Sequence, residues 1–207
     1  MLSEVLSGAQ TCSPECFTCA RLRAAAAPAV LMAGDARVTL SHLAAAAGVP
    51  ASTAAGHCPE GAGAVIADAY RRASGELFVE YAASFRMADS WSEKLGAALQ
   101  RLLRRLAAEP AIAHLCFVAP MVGDAELREI REAYRSRYVE LLATEQDRHL
   151  DDEEELLPEL QLEMMVGSMF RTIGTLVADG RAPELPAMLE DVAFSAAVFE
   201  PRVALTA

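Results

Sequence analysis

A chain of 207 residues with 53% hydrophobic content and a formal charge of −11 is long enough for one ample core, or for a small domain joined to a larger one. It has no apolar run near the ~20 residues that cross a bilayer, and Met1-Leu2-Ser3-Glu4 lacks the basic start of a secretory signal, so a cytoplasmic protein without membrane contact is expected. The acidic balance argues against wide contact with nucleic acid or anionic lipid, although a local basic patch can override a global charge.

A polar leader, residues 1–19, carries Cys12-x3-Cys16-x2-Cys19, and Cys58 brings four of the five cysteines into the N-terminal third. In a reduced compartment this clustering suggests thiolate metal ligation more than disulfides. Cys12, Cys16 and Cys19, with Cys58 or His57 as a fourth donor, form a candidate zinc set that would pin the leader to the segment after it. Two other readings stay open: a leader with incidental thiols, and a reversible cysteine pair that senses oxidants. Apart from zinc, no cofactor is expected. Cys116, between Leu115 and Phe117, reads as a small buried hydrophobe.

Helices are then expected near Ala20 to Ala33, Thr39 to Ala46, Pro50 to Gly56 and Pro59 to Arg86. Thr39 can cap the second of these, with Leu40, Leu43 and Ala44 facing inward, and Gly48 stands where that helix must end at positive φ. Pro50 is tolerated in the first turn of the helix that follows, and Ala44 and Ala47 let two helices cross closely, as in a helix-turn-helix. The fourth helix carries Val65, Ile66, Ala69, Tyr70, Leu77, Phe78 and Tyr81 at helical spacing.

Trp91 to Ala108 aligns Leu95, Leu99, Leu102, Leu103 and Leu106 on one stripe, and Leu127 to Leu150 mixes Ile130, Tyr134, Tyr138, Leu141 and Leu142 with many charges. Pro110, and the stretch Pro120 to Asp124, read as breaks. The acidic run Asp151 to Glu155 suits a solvated N-terminal turn before the apolar helix Leu156 to Ala178. That helix and a last one, Glu184 to Phe199, stay apolar around much of their circumference, which calls for a partner. Gly167, Ser168 and Gly174 would allow close helix approach there.

Together with Arg21-Leu22-Arg23-Ala24-Ala25 in the first helix and Gly34 at its end, Val38-Thr39-Leu40 through Ala47-Gly48-Val49 resembles the TetR family of transcriptional regulators, from about Ala20 to Pro201. The resemblance implies an all-α, TetR-like fold, with a helix-turn-helix domain at 20–58 and a larger helical ligand-binding and dimerisation domain at 59–207. It implies a homodimer built through the two C-terminal helices, and DNA contacts from Thr39, Ser52, Thr53 and His57. The third helix departs from the family pattern. Ala55 replaces the usual aromatic residue, His57-Cys58 stands for His-Phe, and Pro59-Glu60-Gly61 replaces the lysine that grips a phosphate. The first sixty residues hold three arginines against four carboxylates, which opposes operator binding.

The resemblance also implies a pocket for a hydrophobic small molecule. Leu99, Leu103, Phe117, Met121 and Tyr138 would line it with Met164, Met165, Met169 and Phe170, while Tyr134, Tyr138, His114 or Glu163 would supply polar anchors. The first functional expectation is therefore a ligand-responsive regulator. A second is a TetR-fold protein that has lost DNA binding and binds or transforms a small molecule, for example in a cyclisation with Glu163 or His114 as acid or base. A third is a pseudo-regulator that pairs with an intact relative. No nucleophile–base pair, phosphate loop or dinucleotide fingerprint is visible, so no catalytic residue is assigned beyond that conditional pair.

Overall fold

The computed structural model describes residues 16–34, 38–85, 91–123, 125–149 and 157–189. Within them lie ten α-helices and a closing 3₁₀ segment, and no strand is found among the described residues. The order is α1 (Phe17–Ala24), α2 (Ala26–Ala33), α3 (Leu40–Ala47), α4 (Ala51–His57), α5 (Ala62–Ser84), α6 (Trp91–Ala108), α7 (Pro110–Phe117), α8 (Ala119–Val122), α9 (Ala125–His149), α10 (Glu159–Ala178) and the 3₁₀ segment Ala182–Met188. Two compact units divide the chain, one ending at Ala69 and the other beginning at Tyr70, within α5. Cys12, the acidic run Asp151 to Glu155 and most of the expected last helix lie outside the described residues.

In the first unit the expected helix Ala20 to Ala33 is two helices. Pro28 has no N–H to give the carbonyl four residues back, and its ring collides there, so α1 stops at Ala24 and α2 restarts at Ala26 with Pro28 in its first turn. α1 also begins earlier than expected, with Cys16 as its N-cap. α3 is capped as its sequence requires: the Thr39 hydroxyl accepts from the His42 N–H at 3.3 Å, and the Thr39 N–H donates to His42 Nδ1 at 3.3 Å. Gly48 ends α3 at φ 62°, ψ 38°, and the Val49 N–H closes onto the Ala44 carbonyl. α1, α3 and α4 pack on one another around Leu22, Leu43 and Ala54, all fully buried.

In the second unit the leucine stripe of α6 is core, with Leu99, Leu102, Leu103 and Leu106 buried. Pro110 and Pro120 do not leave a loop between them. Each sits in the first turn of a helix, where its missing N–H costs nothing, and α7 and α8 result, buried from Ala113 through Pro120. Tyr138 on α9 is the hub of an aromatic cluster, with ring centroids 5.1 Å from Phe78, 5.0 Å from Tyr81 and 5.4 Å from Phe170. Gly174 is buried where α10 crosses α7, and a Cβ there would lie 3.2 Å from the Phe117 carbonyl oxygen. Its small size thus serves a crossing within the chain. The described start of the expected helix Glu184 to Phe199 is the 3₁₀ segment Ala182–Met188, because Pro186 cannot donate the bond an α-helix would need.

Candidate functional site

The head displays a short fourth helix. α4 has 7 residues and only Ala54 on it is buried. Ser52 and Ala55 are exposed, Thr53 is half-buried, and Thr39 is exposed at the cap of α3. The capped helix, the left-handed glycine and the second helix form a helix-turn-helix that leaves Ser52 exposed and Thr53 half-buried.

The described arginines of the head are already engaged. Arg21 donates to the carbonyls of Ala47 and Gly48, and Arg23 pairs with Asp68 at 3.6 Å. Glu60 is exposed. Among the described residues, the head therefore offers hydroxyls more readily than guanidinium groups.

The expected metal set is partly assembled. Cys16 at the N-cap of α1 and Cys19 in its first turn face His57 at the end of α4, with Nδ1 3.4 Å from Cys16 Sγ and 3.7 Å from Cys19 Sγ. All three ligand atoms lie within 4.8 Å of one another and are half-buried, so the cluster could hold a metal ion. His57 rather than Cys58 joins it, with its imidazole Nδ1 turned toward α1. Cys58 is the half-buried C-cap of α4.

The second unit encloses an apolar cavity lined by Tyr81, Leu95, Leu99, Leu142, Met165, Val166 and Met169, with a volume of about 10 Å³. That is room for about one water. Leu99, Met165 and Met169 were expected here; Tyr81, Leu95, Leu142 and Val166 were not. Tyr81 was legible only as part of the apolar stripe of α5. Its hydroxyl is buried with no hydrogen-bond partner among the described residues, and burial pushes its ionisation well above the usual tyrosine range. Leu103 is fully buried, and Phe117 and Phe170 pack with centroids 5.2 Å apart as neighbouring core. Tyr134 is half-buried and donates to the Arg71 carbonyl at 2.6 Å. Met121 and Glu163 are exposed, while His114 is buried in α7. Neither Glu163 nor His114 borders this cavity.

A helix-turn-helix head followed by a helical unit with an apolar centre is the TetR-like fold, and comparison with solved structures shows the same. The fatty acid degradation regulator FadR from Bacillus halodurans matches with a TM-score of 0.73 at 19% identity, over 91% of this chain and 99% of that one. A TetR family transcription regulator from Marinobacter aquaeolei VT8 matches with a TM-score of 0.57 at 17% identity, over 84% and 95%. At such identities the shared property is the fold. No protein-family model matches the chain, and no curated protein does. No single helix among the described residues is long and apolar enough to cross a membrane; α6 with α7 and α8 reaches that composition only as a pair bent by 112°.

Proposed function

We propose that the protein is a cytoplasmic, ligand-responsive regulator of transcription, in which a hydrophobic small molecule bound in the second unit alters operator binding by the head. The observation that carries this reading is the helix-turn-helix itself: the Thr39 cap and the left-handed Gly48 hold α4 with Ser52 exposed, on a fold shared with two transcription regulators. The effector site is the cavity of Leu99, Leu142, Met165, Val166 and Met169, with Tyr81 as its polar anchor. A cavity this small must open to admit an effector, so the effector selects an open state that the unliganded protein disfavours. That is the two-state requirement for allostery. The flexible side chains of Met165 and Met169 suit such opening. An acyl chain is a suitable effector class, since the wall is apolar and FadR is a regulator of fatty acid degradation.

The active unit in this reading is a homodimer. α10 leaves Leu160 66% and Met164 53% exposed, one turn apart on its surface, and a second copy would cover them. The reading requires no cofactor for effector or operator recognition.

A second reading follows from the engagement of Arg21 and Arg23 by internal partners and from the anion at Glu60. Phosphate neutralisation supplies much of operator affinity, and a head without it points to a TetR-fold protein that binds or transforms its small molecule and has left DNA behind. Binding of the purified dimer to DNA from its own genomic neighbourhood, at physiological salt with scrambled competitor, separates the two. Saturable, sequence-selective binding supports the regulator. A folded dimer that binds no such DNA overturns it in favour of the second reading.

A further inference from the structure

We infer that Cys16, Cys19 and His57 hold a zinc ion that clamps the end of α4 to the start of α1, making the orientation of the short fourth helix metal-dependent. Two thiols converge on one ring nitrogen, at 3.4 Å and 3.7 Å. As a hydrogen-bond arrangement this is over-supplied, because a neutral imidazole Nδ1 has one lone pair and accepts one proton. As the edges of a coordination tetrahedron it fits: Zn–S near 2.3 Å and Zn–N near 2.05 Å place sulfur and nitrogen about 3.6 Å apart.

The donor set is also soft. Two thiolates and an imidazole select zinc over magnesium or calcium, which take oxygen ligands. Cys16 and Cys19 occupy the N-cap and first turn of α1, where the helix dipole favours negative charge on sulfur. Coordination through Nδ1 leaves Nε2 to a second partner, the usual outer support of a metal-bound histidine. One tetrahedral position remains, for water or another donor.

The clamp has structural work to do because α4 is poorly anchored by packing. Of its 7 residues only Ala54 is buried, and an alanine contributes little apolar area. Arg21 of α1 already holds the turn before α4 through the Ala47 and Gly48 carbonyls. Zinc at His57 would fix the other end of the same helix to the same neighbour. Metal binding then contributes folding free energy to this corner of the head. This inference does not depend on whether α4 touches DNA.

The experiment uses the full chain with any affinity tag removed, reduced and stripped of metal, then titrated with cobalt(II) and competed with zinc. The expected result is about one metal per chain, with a thiolate-to-cobalt charge-transfer band and strong ligand-field bands that zinc abolishes. Cys16→Ser, Cys19→Ser and His57→Ala should each weaken zinc binding by more than the ~10–100-fold that loss of an outer-shell partner costs. Cys58→Ser should retain the metal. His57→Cys keeps a soft donor and adds a third thiolate, raising the charge-transfer intensity roughly 1.5-fold, so a ligand role for His57 is readable even if the truncating variants fail to fold. The inference is overturned by a titration without thiolate bands, by an unchanged intensity in His57→Cys, or by metal lost from Cys58→Ser and kept in Cys16→Ser.

Discussion

Gln146 of α9 binds both backbone groups of Leu157: its Nε2 donates to the Leu157 carbonyl at 3.0 Å, and the Leu157 N–H donates to its Oε1 at 3.1 Å. Both residues are buried. Leu157 lies just before α10, outside any helix, so its N–H and C=O have no helical partners, and a side-chain amide supplies the pair that a neighbouring strand would otherwise give. The start of α10 is thereby tied to α9.

Replacing Gln146 by leucine keeps the volume and strands both Leu157 groups. A loss of about 2–4 kcal/mol in unfolding free energy is expected from two buried unsatisfied groups, measured by urea denaturation. Gln146→Glu places a carboxylate against the Leu157 carbonyl, so it should cost at least as much as leucine at neutral pH and recover at acid pH, where the protonated acid donates again. A leucine variant as stable as the parent would mean that water replaces the amide freely.

Gly48 sits at φ +62°, and a Cβ there would lie 2.9 Å from Arg21 Nη2. Gly48→Ala should cost about 1–2 kcal/mol for the left-handed backbone and should also displace the guanidinium from the Ala47 and Gly48 carbonyls. Hydrogen exchange should show the loss in the amides of α3 and α4. Gly48→Asn, which tolerates this region better, should cost less. Equal stability of all three proteins would show that the turn relaxes away from the left-handed conformation.

Local rules were legible where a single residue decides the backbone. Thr39, Gly48 and the leucines of α6 did what their types and spacing require. Pro110 and Pro120 were harder, because a proline that ends one helix is equally suited to open the next, and choosing requires knowing that Ala113 to Pro120 is core. The cavity was legible only in part, since periodicity says which face is buried but not which buried residues border a void. Tyr81 and Leu142 come from different helices and meet only in three dimensions. The same limit applied to the cysteines. C-x2-C is visible locally, yet whether His57 or Cys58 turns toward α1 depends on a ~100° rotation about α4, which no local pattern sets.

Alkaline pH should unfold this protein early. Burial pushes the Cys116 thiol up to about 12, against ~8.5 in an unfolded chain, and burial likewise raises Tyr81 and Tyr138 well above their ordinary range. The unfolded chain therefore loses these protons first. The stability linked to Cys116 is fully present below about pH 8.5 and drains as pH rises toward 12. Urea midpoints should fall between pH 8 and pH 10.5, and Cys116→Ala should flatten that fall. A midpoint independent of pH across this range would mean that the thiol is solvated.

Tyr81→Phe tests the polar anchor of the cavity. Removing a hydroxyl that has no partner among the described residues should leave stability unchanged or raise it by up to about 1 kcal/mol. Binding of a fluorescent fatty-acid analogue by the parent, followed by titration, should weaken about tenfold in the variant, the equivalent of one hydrogen bond of ~1.4 kcal/mol. A destabilised variant would reveal a partner for the hydroxyl. A variant with parental affinity would move the anchor elsewhere.

The head's charge can be tested by restoring what its fourth helix lacks. Ala55 and Glu60 are both exposed, so Ala55→Tyr with Glu60→Lys should be accepted without loss of fold. The double variant replaces an anion by a cation near the end of α4 and adds a ring that can stack or donate. Nonspecific DNA affinity should rise, and the slope of log affinity against log salt should steepen by roughly 1, the signature of one more phosphate contact. Fluorescence anisotropy at several salt concentrations reads both quantities. If affinity and slope stay at the parental values, Ala55 and Glu60 are not what limits contact with DNA, and the internal engagement of Arg21 and Arg23 becomes the limiting feature. Asp68→Asn would then be the informative change, since it releases Arg23 from its 3.6 Å pair and raises the head's charge without altering α4.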